Sequence, residues 1–128
     1  MTKKTEKEKL TLEKILQQRK ILDETVNAPY YSKLFNCEIE IEEHPVSRLS
    51  AIVNKDYDDP LRADLELIYA FCPIFRSKKL HDKLGVEDPI DAVELSFGHN
   101  LNEINALARA ILSRYGYGGD VFEKIKKQ

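Results

Sequence analysis

The run from Asp59 to Phe75 constrains this chain more than any other stretch. Leu61, Leu65, Ile68, Cys72 and Phe75 recur at spacings of 4, 3, 4 and 3, the repeat of one helix face turned to a core. Asp59 can accept from the unpaired N–H groups of the first turn, and Pro60 sits where a missing N–H is harmless. Leu67, Tyr69, Phe71 and Ile74 add apolar surface off that stripe, so the helix is expected to be the central, most enclosed one. Pro73 conflicts with a straight continuation, because it lacks a backbone donor and its ring clashes with the preceding turn. The helix should end or kink near Phe71–Cys72. A short helix should then run from Arg76 to Leu84 and stop at Gly85.

Downstream, Asp88 to Phe122 reads as two well-punctuated helices. Asp88 can cap the first, with Pro89 inside it, and Gly98 can end it in the left-handed conformation. Asn100 and Glu103 have capping-box spacing for the second, which Gly116 can close. Ile90, Val93 and Phe97 form one stripe, and Leu101, Ile104, Ala108, Ile111 and Tyr115 the next. Short connectors should make both helices near neighbours, packed against the Pro60 helix. After Gly116-Tyr117-Gly118-Gly119, Asp120 can cap a last short helix from Val121 to about Lys126.

Upstream, residues 1–9 form a charged leader, expected to be flexible. Thr11 can cap an amphipathic helix to about Glu24, with Leu12, Ile15, Leu16 and Leu22 on one face, Ile21 beside it and Arg19 interrupting it. After Thr25–Pro29 the period changes to two. Cys37, Ile39 and Ile41 alternate with Glu38, Glu40 and Glu42, which is strand periodicity. Tyr30 to Leu34 is its expected antiparallel partner, turning at Phe35-Asn36. Pro45 can start a short helix to about Asn54 that buries Val46, Leu49, Ile52 and Val53. The reading is mainly α (α+β): after the leader, a single compact helical domain over 10–128 with about five to six helices and one small antiparallel β-hairpin.

Composition narrows the function classes. The 128 residues are 42% hydrophobic and 33% charged with a net charge of −2, so no global field advertises nucleic acid or membrane. The charge is unevenly placed. Residues 1–20 carry seven Lys/Arg against three Glu, and residues 38–68 carry nine Asp/Glu against three Lys/Arg. That asymmetry suits solvated faces or charge-steered docking. Cys37 and Cys72 give no disulfide framework or zinc spacing and lie in apolar patterns that read as core. The N-terminus has no signal-peptide h-region, and no apolar run is long enough to span a membrane.

No constellation that carries chemistry emerges. Asp56, Asp58 and Asp59 lack the Gly and bidentate Glu that a calcium loop needs in that register. Glu38, Glu40 and Glu42 read as a water-facing row that protects a strand edge. His44, His81 and His99 have no metal-ligand spacing. Gly116, Gly118 and Gly119 match neither a P-loop nor a dinucleotide fingerprint. A helix-turn-helix would present Asn102, Asn105, Arg109 and Arg114. However, residues 86–108 hold five Asp/Glu and no Lys or Arg, a field that repels phosphate.

The order of residues from Asp64 to Lys127 resembles the XkdN-like phage tail assembly chaperones. The resemblance rests on the helix through Tyr69 to Pro73, Lys79-Leu80, Leu84-Gly85-Val86, Glu87-Asp88-Pro89 with Ile90-Asp91-Ala92-Val93, the Ile104/Ile111/Leu112 helix, and Gly116-Tyr117-Gly118 with Asp120 and a charged tail. It covers about half of the chain well, and no single motif in it is diagnostic. The resemblance implies a non-enzymatic phage or prophage protein without cofactor or metal. Such a protein binds the tape measure protein, keeps it soluble and helps recruit tail tube protein. It works in the host cytoplasm, outside the finished virion, without nucleic acid or membrane, alone or as a homo-oligomer. Tyr115, Tyr117 and Phe122, aromatics around the glycine joint, are the candidate partner-binding residues. A small phage-encoded DNA-binding regulator is the alternative.

Overall fold

The computed structural model of the protein describes residues 8–26, 28–55 and 59–116. In chain order these form α1 (Leu12–Val26), β1 (Tyr30–Ser32), β2 (Cys37–Ile39), α2 (Val46–Val53) and α3 (Pro60–Phe71). A 3₁₀ turn (Pro73–Arg76), α4 (Lys78–Leu84), α5 (Asp91–Ser96) and α6 (Leu101–Arg114) follow. The two strands pair antiparallel, with Tyr30 opposite Ile39 and Ser32 opposite Cys37. The architecture is the mainly helical one with a single small hairpin.

α3 is the central element. Leu65, Leu67, Ile68, Ala70 and Phe71 are buried, and the helix packs against α2, α5, α6 and the 3₁₀ turn. Around it, one core runs from Ile39 and Ile41 through Leu49, Val93 and Phe97 to Ile104, Leu107 and Ile111. Leu107 and Leu112 widen the buried face of α6 beyond the stripe read from spacing. Fully burying side chains of this size contributes roughly 1.5–3 kcal/mol each, so α3 and its neighbours hold most of the stability.

Pro73 ends α3 at Phe71 as expected, but the carbonyls it strands are not left to solvent. In a continued helix, the N–H of residue 73 would serve the Tyr69 carbonyl. Instead the Arg76 guanidinium donates to the Tyr69 and Ala70 carbonyls at 3.0 and 2.7 Å. The Phe71 carbonyl accepts the Glu42 backbone N–H at 2.7 Å, and the Ile68 carbonyl accepts that of Cys72 at 2.9 Å. His44 Nε2 lies 3.0 Å from the Ala70 carbonyl, which can only accept, so this nitrogen carries the proton. Glu42 then pairs with Arg76 at 3.0 Å and with His44 at 2.9 Å. Glu42 therefore joins this brace while its side chain stays partly exposed.

The other helix ends follow the sequence closely. Asp59 Oδ1 accepts from Leu61 N–H, and Asn100 Oδ1 from Glu103 N–H. Gly85, Gly98 and Gly116 all take positive φ. Several expectations need correction. Regular α5 begins at Asp91, because the Asp88 carboxylate caps Ile90 N–H and the Pro89 segment forms only a turn. Gly98 is followed by His99, which also has φ of +62°. Ser77, whose hydroxyl accepts from Leu80 N–H, starts α4 two residues later than predicted. Cys37 is exposed while Cys72 is buried. Cys37 lies at the hairpin's turn end, where its face of the strand has run past the core. Val46 and Leu101, both assigned to buried stripes, are exposed because each sits in the first turn of its helix, beyond its neighbours' reach.

Arg76→Ala should lower the unfolding free energy by about 2 kcal/mol, since a charged donor to a buried helix end is lost. Arg48→Ala, at an exposed position, should stay within about 0.5 kcal/mol of wild type. Urea unfolding with an unchanged slope checks both.

Candidate functional site

Among the described residues, two apolar surfaces in solvent come from different parts of the chain. The first is the N-terminal half of α1. Leu10, Leu12, Ile15 and Leu16 are 72%, 71%, 47% and 59% exposed. Thr11 caps this helix by accepting from Lys14 N–H. Arg19, on the same face, pairs with Asp23 at 2.7 Å and with Glu43 at 3.2 Å. That bond ties the middle of the helix to the domain and leaves its first two turns projecting. The predicted apolar face therefore exists as a helix, and its N-terminal residues stay exposed among the described residues. The Leu22 side chain lies outside the described ones.

The second surface is a groove of about 430 Å³ beside β2. Phe35 and Phe75 form part of its lining, and both rest on Phe97, with ring centroids at 5.3 and 5.6 Å. Ile39 and Leu80 line its walls, and Ile74, 59% exposed, stands at its edge. Cys37, Glu38, Glu40 and Ser96 complete the lining. Among the described residues, this lining contains two carboxylates and no Lys or Arg. An apolar trough with acidic residues suits a segment that carries both apolar and cationic side chains.

Of the three aromatics singled out from the sequence, Tyr115 lies at the C-terminal cap of α6. Its ring meets Phe71 edge-on at 5.6 Å, and its hydroxyl accepts from His44 N–H at 3.0 Å. It is half-buried and fastens α6 to the α3 brace. Tyr117 and Phe122 lie outside the described residues. The groove was missed because its parts come from the hairpin loop, the 3₁₀ turn and α4. The one available signal was Ile74, an apolar residue off the main stripe and just past a helix-ending proline.

The residues weighed for chemistry are occupied by structure. His44 joins the brace, His81 Nε2 donates to the Phe75 carbonyl at 2.8 Å, and His99 pairs with Glu94. Asp59 is a helix cap, while Asp56 and Asp58 lie outside the described residues. No cluster of three metal-ligating side chains occurs among the described residues, and none of their helices is long and apolar enough to cross a membrane. Burial pushes the Cys72 thiol up to about 12, which keeps it protonated. The helix-turn-helix candidates are dispersed in role. Arg114 donates to the Ala28 carbonyl and Asn105 is half-buried, while Asn102 and Arg109 face outward. The Arg62 guanidinium bridges Asp88 and Asp91 across α3 and α5. The chain matches no protein-family model, no curated protein and no solved structure.

Asp64, on α3, is half-buried. Burial raises the Asp64 carboxyl to about 6 despite the opposing pull of Arg109. Between about pH 4 and pH 6, the unfolded chain releases a proton that the folded chain keeps. Asp64 therefore makes stability fall as pH rises through that window. Asp64→Asn should remove this fall, so the stability of the variant relative to wild type should grow from pH 4 to pH 7. Parallel pH profiles, or an NMR midpoint for Asp64 near 4, would contradict the assignment.

Proposed function

We propose that this protein is a phage or prophage tail assembly chaperone. It binds the tape measure protein, keeps it soluble and helps bring tail tube protein to it. It acts in the bacterial host's cytoplasm and leaves before the virion is finished. The observation that carries this reading is the groove beside β2, with Ile74 at its edge and Phe35, Phe75 and Leu80 within. A chaperone of this kind has to shield the apolar face of long amphipathic segments until they assemble. An open apolar trough can do so without acid, base, nucleophile or metal, because burial of nonpolar area is non-directional and tolerant of sequence. The ordered set of residues from Asp64 to Lys127 supports the same reading.

Co-expression with the tape measure protein encoded nearby tests it. The wild type should raise the soluble fraction of the tape measure protein and co-purify with it. Ile74→Glu alters a solvent-facing side chain, so the fold should be kept while co-purification drops on the order of tenfold. No solubilisation by wild type, or full activity in Ile74→Glu, would sink the proposal. A salt-dependent mobility shift on DNA would point instead to a regulator.

A further inference from the structure

We propose that α1 of one copy docks into the groove beside β2 of a second copy, so that the free chaperone associates head to tail through the site it offers to clients. This deepens the groove reading, and three observations carry it. First, α1 projects Leu10, Leu12, Ile15 and Leu16 into solvent on a helix that is already formed and capped, so docking requires little further ordering. Second, the groove is an apolar trough with no occupant from the described part of its own chain. Third, the charges are complementary. Lys9, Lys14, Arg19 and Lys20 outnumber Glu8 and Glu13 over residues 8–20, whereas the groove lining carries Glu38 and Glu40. Lys14 is already close to Glu8, and Arg19 is engaged with Glu43. Lys9 and Lys20 are thus the cations placed to meet the groove's carboxylates.

A pairing of two α1 faces would leave the groove empty. The α1-to-groove contact covers both apolar surfaces and opposes unlike charges. It joins two different patches, so a pair keeps a free groove on one copy and a free α1 on the other, and association continues past the dimer or closes into a ring.

Purified full-length protein, with no client present, tests this by light scattering and sedimentation from about 10 μM to about 1 mM, a range suited to a weak contact. The wild-type mass should rise with concentration from the 14.8 kDa monomer past the dimer. Leu12→Glu/Ile15→Glu removes the ligand face, and Ile74→Glu damages the groove. Each variant alone should stay monomeric, with wild-type circular dichroism. An equimolar mixture should form a dimer and stop there, because one intact groove meets one intact α1. Cys37 gives a second readout, since it lines the groove while Cys72 is buried. Its alkylation rate should fall severalfold as wild-type concentration rises, and should not change in Leu12→Glu/Ile15→Glu. A wild type that is monomeric throughout would overturn the proposal. So would self-association of Ile74→Glu, which indicates α1 pairing with α1, or self-association that leaves Cys37 equally reactive. Because no client enters the assay, these outcomes stand apart from those of the co-expression experiment.

Discussion

The C-terminal end of α3 is the interaction on which the rest depends. A central helix buried on several sides needs partners for its last four carbonyls, because unsatisfied acceptors in a dry core are expensive. Pro73 withdraws the donor that would serve Tyr69 and turns the chain away. The missing donors are recruited from elsewhere. Arg76 folds back from the next turn, while the Glu42 backbone and the His44 ring come from the strand-to-helix connection. Tyr115 then accepts from His44 and lies against Phe71. One helix terminus therefore fixes where the hairpin, α2, the 3₁₀ turn and the end of α6 can sit.

That arrangement also shapes the open surfaces. Because the chain leaves α3 through a 3₁₀ turn, Phe75 faces the core while Ile74 faces outward. The hairpin loop brings Phe35 onto Phe97 from the other side. The groove is the gap between these two approaches, and Phe35 and Phe75 in its lining both rest on Phe97. α1 stands in a different relation to the domain. One tie that holds it is Arg19 at Glu43, an exposed ion pair of modest strength. The exposed apolar residues Leu12, Ile15 and Leu16 lie N-terminal to that tie.

Much of the scaffold is legible in the sequence because local chemistry decides it. Asp59, Asn100, Gly85 and Gly98 mark helix ends through side-chain acceptors and permitted φ, neither of which needs a distant partner. The Leu65, Ile68, Cys72 and Phe75 stripe reports its face for the same reason. Periodicity misled where it had to predict reach rather than face. Cys37, Val46 and Leu101 sit on the apolar side of their elements yet lie past the edge of the core. The apolar face of α1 was equally readable, but whether another part of the chain covers it depends on where the 28–29 connection sends the chain. The candidate site was least legible. Tyr115, singled out as a candidate partner-binding aromatic, is half-buried and fastens α6, while the groove draws on residues more than forty positions apart.

By itself, the sequence determined the presence of α1 to α6, the caps at Asp59 and Asn100, the hairpin and the identity of α3 as the central element; the predicted helix from Val121 to about Lys126 lies outside the described residues. These follow from spacing, dihedral preference and burial of the largest apolar repeat. Tertiary structure alone decided that Arg76, Glu42 and His44 close the end of α3. It also decided that Phe35, Ile74 and Leu80 converge on one trough, and that the first turns of α1 stay exposed among the described residues. Those outcomes depend on how elements distant in sequence meet in space, and no local pattern of residues encodes that meeting.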